Sequence, residues 1–138
     1  MAQSLIDELE EYMKQYGWTF ERVGPDTLIS GFLDDSGAVY PLVVSLHSDL
    51  VSLQVTFGLS DDSFGHDVET LRTMLRLNCI WPLAKIGIDD AGGVVVAEDL
   101  PQEGLNYQSF ALSLDILAET AQMFSAEFSS IIVGEATA

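Results

Sequence analysis

The ten residues LVSLQVTFGL, at positions 50–59, constrain the fold more than any other stretch. Val51, Leu53, Val55, Phe57 and Leu59 alternate with Ser52, Gln54, Thr56 and Gly58. A period of two sends the two sets to opposite faces of a strand, so one face is buried and the other is wet, as in antiparallel sheets. Three further runs precede it, WTFERV, TLISGFL and VYPLVVSL, separated by GPD, DDSG and HSD. Those separators are turn-forming residues, and the whole region from 18 to 59 is predicted to be a meander of strands. Pro41 lacks a backbone donor, which suits either an edge strand or an outward-pointing position.

Helical spacing brackets this region. Leu5, Ile6, Leu9, Tyr12, Met13 and Tyr16 share one helical face, with Ser4 placed as a cap and Gly17 as a stop. In DVETLRTMLRLNC, Val68, Leu71, Leu75 and Cys79 form a predicted core face, and Pro82 ends the helix. LAKIGI and GVVVAED read as two more strands. A long helix from about Asn106 carries Tyr107, Phe110, Leu114, Leu117, Ala121, Phe124, Phe128 and Ile131 at steps of three and four. Its flanking Asp115, Glu119 and Glu127 would repel a second copy, so packing onto its own sheet is favoured over a coiled coil. The expected architecture is one α+β domain over residues 1–138, ordered α-β-β-β-α-β-β-α, with an antiparallel sheet packed against helices.

Composition narrows the partners. Asp and Glu number 22 against five Lys and Arg, for a formal net charge of -17. The basic residues Lys14, Arg22, Arg72, Arg76 and Lys85 are scattered, whereas nucleic acid and anionic membranes both draw affinity from clustered cations. Neither is expected as a partner. Hydrophobic residues make up 48% of the 138-residue chain, the balance of a packed globule. MAQSLIDELEEYM carries acids where a signal peptide carries basic residues, no apolar run is long enough to span a membrane, and Cys79 has no partner for an internal disulfide. A reducing, cytoplasmic setting is expected.

The candidate chemistry is sparse. IDDAGGV at 88–94 and LDDSGAV at 33–39 resemble ligand loops, yet both place Asp at the first position of a turn and Gly at the fourth. An EF-hand would need oxygen ligands where Ala91 and Gly93 stand, and a phosphate loop would need a following helix where GVVV continues as strand. Both are predicted hairpin turns. Asp61, Asp62, His66 and Asp67 form a cluster that mixes imidazole with carboxylates. Without a second nearby His they read as an acidic loop before a helix rather than a metal site. His47, Ser48 and Asp49 are adjacent, so they cannot converge as a relay, and no G-x-S-x-G elbow is present. Glu98 and Asp99 should point to opposite sides of a strand. No catalytic residue, cofactor site or metal site is predicted. In the second helix, Met74, Leu77 and Ile80 project away from the predicted core face, so either that helix is sandwiched or these residues form a dimer or partner interface.

Read as one unit, LRLNCIWPLAKIGIDDAGGVVVAEDLP followed by a long amphipathic helix resembles the YbjN family, which shares the fold of type III secretion chaperones of the Tir-chaperone (CesT-like) class. The carrying features are Leu77-Asn78, the Asp-Asp-x-Gly hairpin and Glu98-x-Leu-Pro101. The resemblance implies a small, acidic, often dimeric bacterial protein of the cytoplasm without an enzymatic site. Secretion chaperones of this fold hold an extended client segment against the sheet and helices, and YbjN relatives are described as regulators. A non-enzymatic protein-binding module, chaperone-like or regulatory, is therefore expected. The competing reading is a metal- or small-ligand-binding sensory regulator built on the Asp61 to Asp67 loop.

Overall fold

Ser4 opens the first helix, α1 (Leu5–Tyr16), by accepting the Asp7 N–H at 3.4 Å. Gly17 closes it at φ 101°, a conformation that costs a side chain dearly, and donates its N–H to Met13. The computed structural model describes residues 4–34, 37–59, 68–81, 83–90, 93–127 and 132–133. After α1 come β1 (Phe20–Arg22), β2 (Thr27–Leu33), β3 (Val39–His47), β4 (Leu50–Leu59), α2 (Val68–Ile80), β5 (Lys85–Ile88), β6 (Val94–Pro101), α3 (Tyr107–Glu127) and β7 (Ile132–Val133). The expected order holds, with the WTFERV run forming the short β1 as a fourth strand before α2 and the short β7 added after α3.

The sheet is antiparallel, in the order β1-β2-β3-β4-β6-β5, and β7 pairs with the end of β4. Both recurring turns join paired strands. In the first, Asp34 exchanges backbone bonds with Gly37 and Ala38, its carboxylate accepts the Ala38 N–H at 3.0 Å and the Tyr40 hydroxyl at 2.9 Å, and Gly37 sits at φ 90°. In the second, the Asp89 carboxylate accepts the Gly93 N–H at 2.8 Å. Each Asp thus closes its hairpin through its own side chain. Pro41 lies on β3, which is an interior strand, so the edge-strand alternative is ruled out. Its missing N–H falls on the β4 side, where the β3–β4 ladder has already ended at Leu42.

Register places Leu28, Val44 and Leu53 in one buried row, and Leu42, Val55, Val96 and Ile86 in the next. Helix α3 lies on this face against β4 and β6, with α1 packed beside it. Phe110, Leu114, Leu117, Ala121 and Phe124 are the buried seam of α3, and covering each large side chain contributes roughly 2 kcal/mol. The α3 seam therefore packs on its own sheet as far as Phe124, as its acidic flanks suggested, and Phe128 and Ile131 lie outside the described residues. Among the described residues, no helix is long and apolar enough to cross a membrane.

Helix α2 differs from its predicted orientation. Val68 and Leu75, assigned to the core, are 63% and 70% exposed, and Cys79 is exposed as well. Met74 is 5% exposed instead, next to buried Trp81, with Leu71 and Leu77 packed partly against the core. The reason is a polar contact. Asn78 bonds the backbone of Ile86 on β5 and must face the sheet, which turns Met74 and Trp81 inward with it. Two apolar stripes of similar strength left the rotation undecided until that contact was made.

Candidate protein-binding groove

A line of aromatic rings runs from the end of α1 into the core. Trp18 stacks on Phe32 at 4.9 Å between centroids, Phe32 on Tyr40 at 5.0 Å, and Phe57 meets both Tyr40 and Phe124. Tyr16 packs edge-on against Trp18 at 4.8 Å, and its hydroxyl donates to Asp115 on α3. Burial and the neighbouring Asp115 carboxylate push the Tyr16 pKa well above the usual phenol range, so the hydroxyl keeps its proton and the bond. These contacts hold the α1–β1 connection rigidly over the sheet.

Between that connection and α3 lies an open groove. One cavity of about 380 Å³ is lined by Trp18, Thr19, Phe32, Leu33, Ala118 and Gln122. A second, shallower space of about 440 Å³ lies on the surface of α3 itself, lined by α3 residues alone: Ala118 and Gln122, shared with the first, and Asp115, Glu119, Met123 and Ala126. The two adjoin. The charged residues in these linings are both acidic, Asp115 and Glu119. Such a surface can bind an apolar side chain and a cation together, but it offers no convergent set of acid, base and nucleophile.

The sheet edges differ in access. Asn78 donates its amide to the Ile86 carbonyl at 3.1 Å and accepts the Ile86 N–H at 2.8 Å, so the outer edge of β5 is occupied at Ile86. Lys85 reinforces the contact by donating to the carbonyls of Asn78 and Trp81 at the end of α2. The edge at β1 has no such cover among the described residues.

The residues singled out from sequence are scattered. Of Met74, Leu77 and Ile80, Met74 is core, Leu77 packs partly against it, and Ile80 is 66% exposed. The outward face of α2 carries Val68, Leu75, Cys79 and Ile80, with Arg72 and Arg76 alongside. Among the described residues neither arginine forms an ion pair, whereas Arg22 meets Asp7 and Glu10 and Lys14 meets Glu11. His47 pairs with Ser45 at 3.0 Å rather than with Ser48 or Asp49. The Asp61, Asp62, His66 and Asp67 cluster lies outside the described residues, and among the described ones no group of three potential ligands is assembled. The groove itself was missed from sequence. Ala118 and Gln122, four residues apart beside the apolar seam of α3, were the one local sign of a gap there.

Comparison with known proteins bears on this geometry. The model of the YbjN family, described as "Putative bacterial sensory transduction regulator", matches residues 5–130. The chain belongs to the YbjN family. The crystal structure of YbjN from E. coli superposes with a TM-score of 0.70 at 15% identity, covering 96% of this chain and all of that one (100%). Two complexes share the fold of this YbjN-family chain at similar distance. The HopA1-SchA chaperone-effector complex gives a TM-score of 0.61 at 13% identity, over 85% of this chain and 89% of that chain. The ExoU-SpcU complex from the type III secretion system of Pseudomonas aeruginosa gives 0.60 at 18% identity, over 83% and 93%. No curated protein matches the chain.

Proposed function

We propose that this YbjN-family chain is a non-enzymatic protein-binding module that holds a segment of a partner protein in the groove between α3 and the α1–β1 connection. The observation that carries the reading is the groove itself: apolar between Trp18 and Ala118, acidic at Asp115 and Glu119, and rigid because stacked rings support it. The likeness in fold to proteins solved as chaperone-effector complexes supports it. A chaperone-like or regulatory role in the cytoplasm follows from that reading, with the lone thiol of Cys79 in keeping with a reducing setting. Filling the groove with Ala118→Trp, or reversing its charge with Glu119→Lys, is expected to abolish capture of the partner that the wild-type protein retains from its native host. Equal capture by both variants, or turnover of a small molecule by the purified chain, overturns the reading.

The chain is further read as a homodimer through α2. The face offered differs from Met74, Leu77 and Ile80, because Met74 belongs to the core; Val68, Leu75 and Ile80 supply the exposed apolar surface instead.

A further inference from the structure

A carboxyl group lies in the seam between α3 and the sheet. Glu98 is 4% exposed and stands opposite Leu53 in the register of β6 and β4; among the described residues neither of its carboxyl oxygens has a hydrogen-bond partner. It shares the face of Val96, two residues before it, and so points at α3. The polar group it meets there is the hydroxyl of buried Ser113. The described elements around it offer no counter-ion. Strand β4 has no ionisable residue. On β6, Asp99 is exposed on the opposite face, and Lys85 of β5 shares that face and spends its ammonium on the carbonyls of Asn78 and Trp81. On α3, Tyr107 packs on Tyr12, Asp115 holds Tyr16, and Glu119 is exposed. On α2, Glu69, Arg72, Arg76 and Cys79 are all exposed.

We propose that Glu98 is a proton-operated latch for α3: the neutral carboxyl lets the helix seat on the sheet, and the ionised one lifts its Ser113 end and reshapes the cavity that α3 walls beside Trp18. A carboxylate in such a place must take up a proton or reach water. Strand β6 cannot carry it out, because it is an interior strand paired with β4 and β5. Helix α3 has no backbone bond to the sheet among the described residues and is held by side-chain packing, so the helix is the part that yields. Its far end is pinned where Phe124 meets Phe57. The Ser113 end is tied to α1 through Tyr12 and Tyr16, so the two helices tilt as one layer about Phe124. That tilt moves Ala118 and Gln122 relative to Phe32 across the cavity. Burial raises the Glu98 pKa above 4.5 and Ser113 opposes the rise, so the helix is seated at low pH and released as pH climbs through the raised value. The latch operates whatever occupies the groove.

The test is NMR of the labelled full chain from pH 4.5 upward. The Glu98 carboxyl carbon is expected to titrate with a midpoint above 4.5. Backbone signals of Leu114 and Leu117 and the indole N–H of Trp18 should move with that midpoint. Phe32, on which Trp18 stacks, lies three strands from Glu98, roughly 14 Å, so the Trp18 shift reports movement rather than the carboxylate's own field. Above the midpoint, amide exchange at Leu114 and Leu117, corrected for base catalysis, should outpace that at Val44 and Leu53 by roughly tenfold. Glu98→Gln should keep the seated spectrum throughout. Ser113→Ala should raise the Glu98 midpoint, because the hydroxyl lowers it, and carry the helix and Trp18 transitions upward with it. A midpoint at or below 4.5, a Trp18 signal indifferent to it, equal exchange in helix and sheet, or the same transitions in Glu98→Gln overturns the latch. Should Glu98→Gln not fold, Ser113→Ala decides: helix and Trp18 transitions that stay put while the Glu98 midpoint moves refute it.

Discussion

Asn78 acts as a one-residue strand: its side-chain amide donates to the carbonyl of Ile86 and accepts the N–H of the same residue, so α2 completes the ladder at the outer edge of β5. An open edge is a template for unwanted pairing, and here it is covered by a side chain fixed on a helix. The contact also sets which face of α2 meets the sheet.

Replacing Asn78 with Ala should destabilise the chain by about 2 kcal/mol, since two bonds to the N–H and C=O of one residue, Ile86, are lost. Asn78→Asp should be worse, because the carboxylate cannot donate to the Ile86 carbonyl and would face it as a second acceptor. Denaturant unfolding measures the loss, and amide exchange at Ile86 should accelerate in both variants while Val96 on β6 remains protected.

Glu98 yields a prediction about pH. It lies in the buried row with Leu28, Val44 and Leu53, is 4% exposed, and among the described residues neither of its carboxyl oxygens has a hydrogen-bond partner. Burial raises its pKa above the ordinary 4.5, which nearby Ser113 on α3 offsets only in part. The folded state thus holds this proton more tightly than the unfolded state. The resulting stability is fully present below pH 4.5 and is lost as pH rises through the raised value. Glu98→Gln should be more stable than wild type at pH 8, by about 1 kcal/mol, because a buried amide costs less than a buried charge. The difference should vanish at low pH. Repulsion among the other carboxylates also changes with pH, but it is common to both proteins, so the difference between their unfolding curves isolates Glu98.

The two faces of α2 should respond oppositely to substitution. Met74→Ala is expected to cost about 3 kcal/mol as a cavity in the core without altering assembly. Leu75→Asp should leave stability of the monomer nearly unchanged and convert the proposed homodimer into a monomer, read by light scattering after gel filtration. A wild-type monomer at all salt concentrations would refute the dimer, and loss of folding in Leu75→Asp would refute the assignment of that face to solvent.

Gly37→Val should destabilise the β2–β3 hairpin by on the order of 1–3 kcal/mol, because a β-branched residue resists the positive φ required there. Thermal unfolding measures the loss, and Gly37→Asn should be milder, since Asn tolerates the left-handed region.

Much of this molecule followed from local pattern. Ser4 and Gly17 bound α1, the alternation at 50–59 faces Val51, Leu53, Val55 and Phe57 inward, and Asp34 and Asp89 close hairpins, because caps, strand faces and turns depend on residues within a few positions of one another. The opposed placement of Glu98 and exposed Asp99 followed from the same period of two. Tertiary structure decided the rest. Local spacing could not choose between the two apolar stripes of α2; the choice came from Asn78 meeting Ile86, a strand away. Nor could it place the groove, which exists because β1 ends before β2 does and α3 passes Trp18 with only Ala118 and Gln122 to fill the space. A helix face and a cavity are properties of what stands opposite them: the groove joins Trp18 to Ala118 across the sequence, and Asn78 and Ile86, though only eight residues apart, lie on different elements whose packing no local period encodes.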